Sequence, residues 1–130
     1  MSGETIGVDL SIVVPVFRSQ NCLEPLVEAI EQAMGSCGLR YEVILVNDFS
    51  PDRSWQVIER LAASRPHVVG IDFRRNFGQD NAILAGLRHA SGNYMAIMDD
   101  DLQHDPAELW PMLQKLKQDD ADVVYAKFDR

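Results

Sequence analysis

Residues 11–47 read S-I-V-V-P-V-F-R-S-Q-N-C-L-E-P-L-V-E-A-I-E-Q-A-M-G-S-C-G-L-R-Y-E-V-I-L-V-N, and this one stretch decides the fold. SIVVPVF (11–17) is β-branched and apolar on both faces, which predicts a strand buried on both sides. Leu23, Leu26, Val27, Ile30 and Met34 follow at steps of three and four, the stripe of an amphipathic helix. Asn21 with Glu24 three residues on reads as its start, and Gly35 and Gly38 as its close. YEVILVN (41–47) is a second buried strand. A buried strand, a helix and a second buried strand make a parallel βαβ unit.

Working outward, the alternation continues. Ser50-Pro51-Asp52 opens a helix with Trp55, Ile58, Leu61 and Ala62 inward, and VVGIDF (68–73) is a third strand. A third helix is predicted from about Gln79 to Ala90, with Ile83, Leu87 and Ala90 inward; YMAIMD (94–99) is a fourth strand. Pro106 starts a helix carrying Leu109, Leu113 and Leu116, and DVVYA (122–126) reads as a fifth strand. The expected fold is α/β, a three-layer αβα sandwich with a mainly parallel sheet. Residues 1–10 form a tail and 11–130 one domain.

Composition narrows the function. The 130 residues are 46% hydrophobic, enough for a real core, and carry 12 Lys and Arg against 20 Asp and Glu, a net charge of −8. Such a chain repels polyanions, which argues against nucleic acid or anionic lipid as partners of this segment. The longest apolar run, Ile12 to Phe17, falls far short of the roughly 20 residues that cross a bilayer, and the N-terminus lacks a signal-peptide layout. Two cysteines without CxxC spacing, Cys22 and Cys37, fit a reducing, cytoplasmic setting.

Right-handed crossovers place the C-terminal end of every strand on one edge, where ligands of such sheets bind. Four junctions there hold the chemistry. After strand four come Asp99, Asp100 and Asp101, adjacent carboxylates that repel one another unless a cation compensates. In an extended segment Asp99 and Asp101 face one side and Asp100 the other, with Gln103 adding a neutral oxygen. These are hard donors for Mg²⁺ or Mn²⁺. The alternative is a solvated acidic loop capping the next helix. After strand two, Asp48 can accept from a ribose hydroxyl or a base N–H, or cap the following helix. After strand one, Phe17 beyond the rigid Pro15 is either a stacking surface or a core aromatic. After strand three, Arg74 and Arg75 suit a diphosphate, or are a surface pair. Together they make a nucleoside-diphosphate site.

SIVVPVFRSQ, EVILVNDFSPDRSW and RRNFGQDNAILAGLRHASGNYMAIMDDDLQHDPAEL resemble the N-terminal half of a family 2, GT-A-fold glycosyltransferase, most of all the polyprenyl-phosphate sugar transferases. The resemblance covers residues 11–127, and R-N-F-G-Q with D-x-D-L-Q-H is far more specific than a bare D-x-D. It implies that Pro15 and Phe17 line the base pocket, that Asp48 binds base or ribose, and that Arg75 approaches the nucleotide. Asp99, Asp101 and Gln103 would surround a metal bridging the diphosphate, leaving Asp101 and Arg75 as the catalytic pair. The family usually has two acids where this chain has Asn47-Asp48, and a small residue where it has Phe49. Implied partners are a nucleotide-diphospho-sugar, UDP-linked rather than GDP-linked, and a polyprenyl phosphate. Relatives run to about twice this length, so the chain reads as a truncated donor-binding fragment. Its full-length relative is expected at the cytoplasmic face of the inner membrane, and the exposed edges favour a homo-oligomer.

Two other classes compete. A phosphoacceptor receiver domain fits the length and acidity, but strands one and three end in P-V-F-R and F-R-R-N, and only Lys127 obliges. A non-catalytic relative used as an interaction module shares the fold by definition. A dinucleotide-binding domain fails because no G-x-G-x-x-G follows strand one.

Overall fold

The computed structural model describes residues 7–35, 37–101 and 105–118. Strands β1 (Leu10–Val16), β2 (Tyr41–Asn47), β3 (Val68–Asp72) and β4 (Tyr94–Ile97) alternate with helices α1 (Leu23–Gly35), α2 (Ser54–Ser64) and α3 (Gln79–His89). A short 3₁₀ turn, Pro106–Glu108, leads into α4 (Leu109–Gln118). The sheet is parallel throughout, in the order β3-β2-β1-β4. The fifth strand expected at 122–126 and the metal ligand expected at Gln103 lie outside the described residues.

Burial on both faces explains why β1 is apolar at nearly every position. Leu10, Ile12, Val14 and Val16 turn to one side with Val43 and Leu45, under α1, Ile58 and Leu61 of α2, and Leu109. Val13, Ile44 and Val46 turn to the other, under α3. The five predicted positions of α1 are all buried, each contributing about 1.5–3 kcal/mol of transfer free energy.

Helix α3 departs from expectation. Its buried residues are Ala82 and Gly86, with Leu87 and Ala90 only half-buried against the same cluster and Ile83 outside it. The helix lies so close to the sheet that a Cβ on Gly86 would stand 2.4 Å from Val13 Cγ1. Small residues therefore occupy the seat, and larger ones flank it. Strand β4 also ends early, at Ile97, although Met98 N still donates to Val13 O at 2.9 Å. On this open side of the described sheet Met95 and Ile97 are exposed. Among the described residues no helix is long and apolar enough to cross a membrane.

Candidate functional site

The C-terminal ends of β1, β2 and β4 and the first residue of α3 line an open cavity of about 370 Å³. Its wall is Pro15, Val16 and Phe17 from β1, Asp48 from β2, Gln79 from α3, and Asp99, Asp100 and Asp101 after β4. The topology produces this gathering: parallel strands end together, and the sheet order changes direction at β1, between β2 and β4.

Pro15 is tolerated in a central strand for a local reason. Val13 O accepts from Met98, so residue 15, two further on, also turns its backbone toward β4, whose pairing has already stopped at Ile97. The missing N–H removes no ladder bond there. Phe17 is 41% exposed, which removes the core-aromatic alternative. The Arg18 guanidinium carbon lies 5.5 Å from its ring centroid, and Arg18 itself sits at φ 55°.

Asp48 is buried, and its backbone N–H donates to Val16 O at 3.0 Å. Its carboxylate accepts from Phe77 N at 2.8 Å and Gly78 N at 3.1 Å, so it latches the β3–α3 loop onto the end of β2. Gly78 stands at φ 93°, a conformation that suits glycine at the entry to α3. Asp48 does not cap α2; the cap position is Arg53, and Asp52 just before it accepts from Ser54 N, the first residue of the helix, at 3.0 Å. Burial works to raise the Asp52 carboxyl, but the hydroxyls of Ser50 and Ser54 and the amides of Ser54 and Gln20 outweigh it and hold it down at about 2.

Asn47 accounts for the missing second acid. Its side chain is buried and donates through Nδ2 to Asp72 Oδ1 at 2.8 Å, where a carboxylate would meet another carboxylate. Phe49 occupies the left-handed region at φ 54° and is exposed.

Asp99 and Asp101 line the cavity, and Asp100 does too. The Asp100 carboxylate is turned onto the β1–α1 turn, where it accepts from Phe17 N at 3.0 Å and from the Ser19 hydroxyl. Arg75 is exposed and outside the cavity wall, its guanidinium carbon 6.0 Å from the Phe77 ring centroid. Of the sequence-predicted residues, the structure thus brings together Pro15, Phe17, Asp48, Asp99 and Asp101 and leaves Arg75 aside. Sequence reasoning missed Gln79, whose signal was the R-N-F-G-Q run ending at the first residue of α3. It also took Asp100 as merely facing away, and missed what it holds.

The donor set fits a hard divalent ion in kind. Among the described residues no three or more His, Cys, Asp or Glu form a ready-made metal cage. Carboxylate oxygens are the kind of donor that Mg²⁺ and Mn²⁺ take.

A parallel α/β sheet with an acid-lined cavity at its switch point has the architecture of the doubly wound α/β folds, whose ligands bind at that edge. The model of glycosyl transferase family 2 matches residues 11–130, and the chain belongs to that family. It is 40% identical over 117 residues to an undecaprenyl-phosphate 4-deoxy-4-formamido-L-arabinose transferase of Edwardsiella ictaluri, covering 88% of this chain and 35% of that protein. It is 39% identical over 118 residues to the bactoprenol glucosyl transferase of Shigella phage SfV, covering 91% and 38%. The chain therefore spans about a third of the length of these relatives. Among solved structures, Staphylococcus aureus TarS 1-349 in complex with UDP-GlcNAc superposes with a TM-score of 0.68 at 18% identity, covering 85% of this chain and 32% of that one. The mannosyltransferase PcManGT from Pyrobaculum calidifontis, in complex with GDP-Man and Mn²⁺, gives 0.63 at 22%, covering 75% and 28%. The fold is GT-A.

Proposed function

We propose that this domain binds the nucleoside-diphosphate part of a nucleotide sugar in the cavity at the sheet edge. We further propose that the protein it belongs to transfers the sugar to a polyprenyl phosphate. The observation that carries the reading is the meeting, in one cavity wall, of Phe17, Asp48, Asp99 and Asp101 from three separate strand ends. An exposed aromatic offers a stacking face for a base, and Asp48 a buried acceptor for a base N–H or ribose hydroxyl. Asp99, Asp101 and Gln103 would hold Mg²⁺ or Mn²⁺. The lipid-phosphate acceptor is supported by the names of the relatives.

In the transfer, an acceptor phosphate oxygen bonds to the anomeric carbon with inversion while the bond to the nucleoside diphosphate breaks and its electrons leave with the diphosphate. The attacking phosphate monoester has a second pKa near about 6, so it is already largely dianionic and needs no side-chain base. A bound divalent ion supplies charge neutralisation for the leaving diphosphate. The chain's own groups orient the donor: Phe17 and Asp48 fix the base end, and Arg75, which lies outside the cavity wall, would approach the phosphates as the family resemblance implies. A UDP-linked donor is favoured over a GDP-linked one.

Calorimetric titration with UDP and GDP, each with and without Mn²⁺, tests this. UDP binding should strengthen with Mn²⁺, and Asp101→Asn should remove that gain. Binding indifferent to Mn²⁺, or an unaltered Mn²⁺ gain in Asp101→Asn, would contradict the proposal.

A further inference from the structure

The β1–α1 turn that presents Phe17 is suspended between two other junctions. On one side Arg18 N donates to Ser50 Oγ of the β2–α2 connection at 2.7 Å, and Ser19 N to Ser54 Oγ at the start of α2 at 3.0 Å. On the other side Phe17 N donates to Asp100 Oδ2 at 3.0 Å, and the Ser19 hydroxyl meets the same oxygen. The turn needs tethers because Arg18, a non-glycine residue, is held at φ 55°, a sparsely populated conformation that persists only when its surroundings over-determine it. Ser19 and Ser54 are buried, so the β2 side of the suspension is firm. Phe17, by contrast, is exposed, and its backbone N–H has the Asp100 carboxylate as its partner.

We infer that Asp100 is a positioning residue: the middle carboxylate of the acidic triplet holds the Phe17 aromatic wall against the cavity while its neighbours face the ligand. This rests on the base-stacking part of the proposed function. It assigns the three consecutive acids two different tasks. Asp99 and Asp101 stand on the phosphate end, and Asp100 ties the base end to them through a charge-assisted hydrogen bond. Loss of the tie should loosen the Phe17 end alone, since the Ser50 and Ser54 tethers remain.

The test uses UDP and inorganic pyrophosphate as probes, both with Mn²⁺, on the intact chain and on Asp100→Ala, Asp100→Asn, Phe17→Ala and the Phe17→Ala/Asp100→Ala double variant. Asp100→Ala should weaken UDP binding by about fivefold or more, as Phe17→Ala should through lost stacking, and leave pyrophosphate binding within about twofold. The double variant should bind UDP no worse than Phe17→Ala alone, since a wall that is gone cannot be misplaced. Asp100→Asn, which lacks the charge but keeps an acceptor for the Phe17 amide, should recover most of the UDP affinity. Equal losses toward UDP and pyrophosphate, additive losses in the double variant, or an Asn variant as weak as the Ala variant would overturn the inference. Equal losses would place Asp100 on the phosphate end, and additive losses would make it independent of the Phe17 wall. If Phe17→Ala bound UDP as the intact chain does, the stacking reading itself would fall and the inference with it; normal Phe17 dependence with an indifferent Asp100→Ala would sink the inference alone.

Discussion

Replacing Gly86 by alanine sets two effects of known sign against each other. In an exposed helix interior the change is favourable by about 1 kcal/mol, because alanine gives up less backbone freedom on folding. Here the added Cβ would lie 2.4 Å from Val13 Cγ1 and 3.3 Å from Val13 Cγ2 and Val46 Cγ2. Carbon atoms pack at about 3.5–4.0 Å, so α3 and β1 would have to part by roughly 1 Å. Neither valine can yield easily, since both are fully buried and β1 is flanked by β2 and β4. Overpacking of this kind costs about 1–3 kcal/mol, and the propensity gain offsets only part of it. A net destabilisation of up to about 2 kcal/mol is expected. Urea unfolding followed by circular dichroism should give a lower midpoint at unchanged slope. A midpoint that rose by the propensity gain would refute the close seat of α3. It would also undercut the position of Gln79, which that helix delivers to the cavity.

Other expectations follow from single contacts. The Asp52 carboxyl lies at about 2 against an ordinary 3.8, so its contribution is full above pH 4 and is lost as pH falls through 2. Unfolding midpoints measured from pH 4 down to pH 2 should therefore fall more steeply for the intact chain than for Asp52→Asn. Asn47→Asp should destabilise the protein by about 1–3 kcal/mol at pH 7, because the buried donor to Asp72 becomes a second carboxylate. Restoring a donor in Asn47→Asp/Asp72→Asn should recover most of the loss in urea unfolding; an undiminished loss in the double variant would mean that the pair is not in contact.

The sheet was legible because β1 and β2 are apolar on both faces and are covered on both, the pattern of the middle of a parallel sheet. Helix α1 was legible because its buried positions are large. Helix α3 misled for the opposite reason: periodicity weighs bulky residues such as Ile83, whereas its contact surface is Ala82 and Gly86, where closeness matters more than apolar area. At the cavity, chain direction was enough to gather Phe17, Asp48, Asp99 and Asp101 on one edge. It could not tell which oxygens would be taken up by neighbouring loops. Asp100 latching Phe17 depends on a turn whose left-handed residue, Arg18, carries no glycine to announce it, and Asp48 latching Phe77 and Gly78 joins residues about 30 apart in the chain, although Gly78 marks that turn. Asn47 was a puzzle in the sequence and is explained only by Asp72, 25 residues away and adjacent across the sheet.

The central claim is that the C-terminal edge of the sheet binds metal and nucleoside diphosphate together. Paramagnetic broadening of backbone amide signals by substoichiometric Mn²⁺, with and without UDP, tests it most directly. With UDP present, broadening should centre on Phe17, Asp48, Gln79 and Asp99 to Asp101. The Glu42 carboxylate cluster with Ser11 and Ser91, at the opposite ends of the strands, should keep sharp signals. Broadening centred on Glu42 and Ser91, or a pattern at the acidic triplet that UDP leaves unchanged, would contradict the account.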